Sequence, residues 1–104
     1  MTRFSHMLYL HGFRSSPAST KAQWFSDWMA RGHPSVQWHC PALSASPATA
    51  MVQMQDAVQH WDPSRTLVMG SSLGGFYATW LAAWFGCHAV LLNPAVHPAR
   101  DLQH

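Results

Sequence analysis

The sequence has no glutamate, and its acidic side chains are four aspartates, Asp27, Asp56, Asp62 and Asp101. Any carboxylate chemistry must come from those four. Charge of either sign is scarce, at 10% of 104 residues, and Arg3, Arg14, Lys21, Arg31, Arg65 and Arg100 stand singly along the chain. With no basic run to follow a phosphate backbone, nucleic acid is not an expected partner. No stretch reaches the roughly 18 apolar residues of a membrane span, and the start lacks a basic segment leading into a long apolar core. The expected location is the cytoplasm, with no membrane partner. Cys40 and Cys87 form no C-x-x-C pair, and without a secretory context they read as packed free thiols. No H-E-x-x-H is present among the eight histidines, and His33, His39, His60 and His88 fall near the ends of elements, so no metal is expected.

What the chain does have is apolar content, 48% of its residues, enough for one modest core and one domain. Met7 to Leu10 is a short apolar run closed by His11-Gly12, as in a buried strand entering a tight loop. Ser15, Ser16, Pro17 and Ser19 supply capping residues for a helix on which Trp24, Phe25, Trp28 and Met29 recur, and Gly32 with Pro34 stops it. Val36, Trp38 and Cys40 alternate with polar residues as a second strand ended by Pro41. Ser46-Pro47 is an N-cap followed by proline at the first helical position, opening a helix through Met51, Met54 and Val58 to about His60. Thr66 to Met69 forms a third strand. Leu73, Phe76, Tyr77, Trp80, Leu81, Trp84 and Phe85 make a helical stripe expected to pack on the sheet, with Gly86 as its C-cap. The register of Trp24, Trp28, Trp80 and Trp84 reads as core rather than as a stacking platform. Ala89 to Leu92 is a fourth strand.

Strands alternating with helices of this length imply right-handed crossovers and an α/β fold, a parallel sheet with helices on both faces, about four strands and three helices. The fourth strand is apolar on both faces, so a bare edge and self-association through it are expected.

Gly70-Ser71-Ser72-Leu73-Gly74 fits G-x-S-x-G and falls between the third strand and the third helix, the setting that a nucleophile elbow requires. A sharp turn there lifts a serine above the sheet, and small residues two before and two after it let the backbone bend. Ser72 is therefore the candidate nucleophile. The Leu73 amide lies at a helix N-terminus, where an unpaired N–H and the helix dipole favour a developing oxyanion. A second donor belongs to the loop after an earlier strand, and the Phe13 amide is the candidate. A phosphate-binding turn is the competing reading of these glycines, but no Walker lysine follows and G-x-G-x-x-G is absent, so no nucleotide cofactor is expected.

The residues Leu8-Tyr9-Leu10-His11-Gly12-Phe13 with Ser15-Ser16-Pro17 and Lys21, Cys40-Pro41 before Ser46-Pro47, Met69 to Phe76, and Leu91 to Val96 resemble the YqiA/YcfP-type α/β-fold esterases. The resemblance runs from residue 7 to about 102. It implies a partial α/β-hydrolase fold, Ser72 as nucleophile, the Phe13 and Leu73 amides as oxyanion hole, small carboxylic esters as substrates, and no cofactor. Chains of that family continue beyond this length, and their later strands deliver the acid and histidine of the triad. Residues 1–104 are thus expected to be the N-terminal part of a single α/β-hydrolase domain, ending before those segments and of low activity alone. The chain order of such triads places the partners after Ser72, which leaves Asp101 with His88, His97 or His104. The alternative is a non-catalytic α/β-hydrolase remnant or interaction module.

Overall fold

A computed structural model describes residues 4–11 and 19–92. Strand β1 (His6–Leu10) is followed by α1 (Thr20–Gly32), β2 (Gln37–His39), α2 (Pro47–Val58), β3 (Thr66–Ser71), α3 (Leu73–Phe85) and β4 (His88–Leu92), with a short 3-10 turn at Pro63–Arg65 before β3. The strands form one parallel sheet in the order β2-β1-β3-β4. The α/β architecture expected from the alternating pattern is the one observed.

Helix boundaries follow the capping signals. The Ser19 side chain accepts from the Ala22 amide, Ser46 accepts from Thr49 ahead of Pro47, and Gly86 closes α3 in the left-handed region at φ 79°, the conformation that favours glycine. Alternation along β1 sends Leu8 and Leu10 to one face, where they join Val68, Ala50, Met54, Val58, Tyr77, Ala78 and Leu81 in the core beneath α2 and α3. Tyr9 points the other way, against Phe25 of α1 and Trp38 of β2. Helices therefore cover both faces.

Two packing expectations need correction. Trp24 and Trp84 are 55% and 52% exposed, and Trp28 and Phe76 are exposed as well, whereas Trp80 packs partly against the core. Each sheet face is narrow, so α1 buries Ala22 and Met29, and α3 buries Gly74, Gly75, Tyr77, Ala78 and Leu81. A helix that is apolar nearly all round can turn only about 100° of its surface to one layer, and the remaining aromatics stay on its flank. They stack on one another instead, Trp80 on Trp84 and Trp84 on Phe85.

Strand β4 stands at the edge of the described sheet, paired with β3 alone. His88, Ala89, Val90 and Leu91 are all exposed. No helix among the described residues is long and apolar enough to cross a membrane.

Candidate active site at the end of strand β3

In a parallel sheet covered by helices, the carboxyl ends of the strands form the edge where ligands bind. Here β3 ends at Ser71 and α3 begins at Leu73, so Ser72 alone makes the turn. Its backbone lies at φ 56°, ψ −121°, and among the described residues it is the one non-glycine with positive φ. Such a conformation costs on the order of 1–3 kcal/mol and persists only where the surroundings over-determine it. Several contacts do so. The Ser72 N–H donates to the Leu92 carbonyl at 3.1 Å, and the Ser72 carbonyl accepts from Gly75 N–H at 2.9 Å. A Cβ on Gly70 would overlap the Gly74 carbonyl, and one on Gly74 would overlap the Leu10 carbonyl. The two glycines permit the close backbone approach that the turn demands.

Ser72 occupies the N-cap position of α3, yet its side chain makes no capping hydrogen bond, and the residue is exposed. Leu73 is the first residue of α3, and an N–H at that position has no partner within the helix. That amide can stabilise negative charge developing on an oxygen bound beside Ser72. The proposed second donor, Phe13, lies outside the described residues, as do Asp101, His97 and His104.

Of the triad histidines allowed by chain order, His88 is placed far from the turn. It pairs in register with Leu67 at the start of β3, while Ser71 pairs with Leu92, so four residues of strand, about 13 Å at ~3.3 Å per residue, separate it from the elbow. Its ring meets Phe4 edge-on at a centroid distance of 5.6 Å. His88 is thereby removed as the base for Ser72.

Three contacts at this edge have no counterpart in the spacing of the sequence. His11, at the end of β1, is buried, and its Nε2 accepts from the Leu43 amide at 3.0 Å. That bond fixes the proton on Nδ1 when the ring is neutral. Ser71 is buried directly before Ser72, and Lys21 Nζ donates to its Oγ at 3.3 Å. The Tyr9 phenol also hydrogen-bonds Ser71, and burial raises the Tyr9 pKa, so the phenol stays neutral. These contacts join residues 9, 21 and 71, a link that no local periodicity displays.

A separate recess of about 320 Å³ lies between α1 and β2, lined by Ala22, Gln23, Ser26, Asp27, Trp38 and Cys40. Burial pushes the Cys40 thiol up to about 11. Since the thiolate is the reactive form, alkylation of Cys40 by iodoacetamide in the folded protein is expected to be slower at pH 8 than that of a free cysteine. It should climb until about pH 11. Equal rates for Cys40 and free cysteine at pH 8 would contradict this placement. Both cysteines are unpaired, and no group of three or more potential metal ligands occurs among the described residues.

A family model described as an uncharacterised protein family, UPF0227, matches residues 6–104.

Proposed function

The chain belongs to UPF0227, the family that includes the YqiA/YcfP-type esterases, and from that membership and the turn at Ser72 we propose a serine esterase acting on small carboxylic esters. The observation that carries the reading is the nucleophile itself. Ser72 is exposed, its backbone is strained at φ 56°, ψ −121°, and its hydroxyl does not cap the helix that it begins. A structural serine at a helix N-terminus normally caps.

In the proposed reaction Ser72 Oγ attacks the ester carbonyl carbon, and the carbonyl oxygen becomes an oxyanion received by the Leu73 amide, with Phe13 proposed as second donor. The hydroxyl proton passes to a general base and from it to the departing alcohol as the C–O bond breaks, leaving an acyl-serine. Water then attacks that acyl group, returns the proton to Ser72 and releases the acid. The helix terminus and backbone amides supply the electrostatic part, and no cofactor enters the scheme. The direct test is to quench the protein during turnover of p-nitrophenyl acetate and locate the acetyl group by mass spectrometry. An adduct on Ser72, absent from Ser72→Ala, is expected; acetylation confined to lysines would reject the reading.

A second reading, a non-catalytic interaction module, draws on β4. Its edge is open among the described residues, and Val90 and Leu91 are 39% and 41% exposed. Open apolar strand edges pair with other chains, and we propose that copies of this chain associate through β4. Light scattering at micromolar concentration should give a mass above 11.6 kDa, and Val90→Lys should shift it toward the monomer. A monodisperse wild-type monomer would refute the association.

A further inference from the structure

We propose that Lys21 selects esters carrying a negatively charged group, a carboxylate or phosphate within about 6 Å of the scissile carbonyl. The inference deepens the esterase reading and rests on it. Lys21 is the second residue of α1, and its side chain reaches the carboxyl end of β3, where Nζ lies 3.3 Å from Ser71 Oγ. Ser71 immediately precedes the nucleophile, one Cα step of about 3.8 Å away. The ammonium is thus tied to the residue that precedes the candidate nucleophile, at the end of the sheet where Ser72 makes the turn.

The partner chosen for that ammonium is informative. A lysine fixed for structural reasons usually meets a carboxylate, but among the described residues Lys21 is matched by a neutral hydroxyl. That hydroxyl is itself tied to the neutral Tyr9 phenol. The charge is oriented by Ser71 with no compensating carboxylate among the described residues, and Lys21 remains exposed, so further donor capacity is open to a ligand. The described aspartates do not compete. Neither α1 nor α3 has an acidic residue in its first turn. Asp62 lies before β3, at the opposite end of the sheet, where its carboxylate accepts from Ser64. Asp27 sits nearly two turns further along α1, and Asp56 lies near the C-terminal end of α2. An anionic substrate approaching Ser72 would therefore find one fixed positive charge and no described carboxylate to repel it.

Two unit charges about 6 Å apart, at an effective dielectric constant between about 40 and 80, favour the charged ester over its neutral counterpart by roughly three- to tenfold. The preference should weaken with salt. The pair 3-acetoxybenzoate and methyl 3-acetoxybenzoate differs in that charge while keeping the same acetyl group and ring. In wild type, the ratio of their rates of Ser72 acetylation, followed by mass spectrometry, should favour the anion by roughly three- to tenfold at low salt and fall toward unity at about 1 M salt. Lys21→Met should bring the ratio to unity or below, and Lys21→Arg should restore it. An unchanged ratio in Lys21→Met would overturn the proposal, even if both rates fell together, since Lys21 would then only position the elbow. Binding of 3-hydroxybenzoate, followed by NMR titration of the wild type and Lys21→Met, is independent of turnover. Weaker binding in Lys21→Met with no acetylation of Ser72 by either ester would uphold the anion site while rejecting the esterase. Equal binding by the two proteins would reject the anion site.

Discussion

Ser72→Ala is expected to abolish serine-dependent hydrolysis of p-nitrophenyl acetate while leaving the fold intact. Removing the nucleophile of a complete triad costs on the order of 10⁶ in rate, and about 10³ to 10⁴ over water survives from the oxyanion hole and binding. The size of the loss therefore also reports the base. A drop near 10⁶ in a preparation of this chain would mean that a general base is in place beside Ser72, whereas a loss of only tenfold to a hundredfold would mean an unactivated hydroxyl. No loss at all would remove Ser72 from the reaction. The companion variant Ser72→Gly separates chemistry from strain. Glycine adopts φ 56° without a Cβ penalty, so Ser72→Gly should be as inactive as Ser72→Ala and more resistant to thermal unfolding than Ser72→Ala. A lower melting temperature for Ser72→Gly than for Ser72→Ala would show that the turn is not strained at this residue.

The largest expected effect on stability comes from a single methyl group at Gly74. Its Cβ would overlap the Leu10 carbonyl and crowd the Leu10 carbonyl carbon and the His11 carbonyl oxygen at 2.8 and 2.9 Å. All three are backbone atoms of the central strand and the residue after it, which cannot rotate away as a side chain could. Relief requires α3 to lift from β1, and that movement would open the core around Leu8, Leu10, Tyr77 and Leu81. Overpacking costs about 1–3 kcal/mol when side chains can adjust, and a backbone collision should exceed the upper figure. For a domain of this size, about 3 kcal/mol corresponds to a fall in melting temperature of roughly 12–24 °C. A Gly74→Ala protein melting within about 3 °C of wild type would show that the helix and strand are not in the contact described. Gly32→Ala serves as the control, because nothing lies within 4 Å of a Cβ there, and it should change the melting temperature little.

The strand-to-helix turn at Ser72 and the four strands were legible in the sequence because each is written locally. Ser46-Pro47, Gly86 and the run at Met7 to Leu10 act through neighbours a few residues away, and the elements start or stop there as expected. Gly70 and Gly74 were equally readable, although the reason they must be glycine is partly non-local, since Gly74 faces the end of β1. The aromatic residues misled for a physical reason. Periodicity reports that Phe76, Trp80 and Trp84 share a flank of α3, but it does not report how wide a face the sheet can cover. The Tyr9, Ser71 and Lys21 contacts join three elements through side-chain tips, and no spacing in the chain encodes such a meeting. His88 illustrates the converse. Chain order admitted it as a triad partner, and strand register then placed it at the wrong end of β4.

The strand order also sets a timetable for synthesis. Leu8 pairs with Val68 and Leu10 with Gly70, so roughly sixty residues must leave the ribosome before β1 gains its neighbour β3. At about 5–20 residues per second this wait lasts roughly 3–12 s. The partnership of β1 with β2 through His6, Met7 and Leu8 can form earlier and shields one edge, but the side chains of Leu8 and Leu10, covered in part by α2, have no α3 over them until after β3 has been made. A nascent chain halted before Ser71 would therefore present a sticky half-sheet, and chaperone binding should be densest on chains between about 40 and 70 residues long. The same delay means that the Ser72 turn, which needs Leu10, Gly74 and Leu92 together, is the last part of this architecture to take shape.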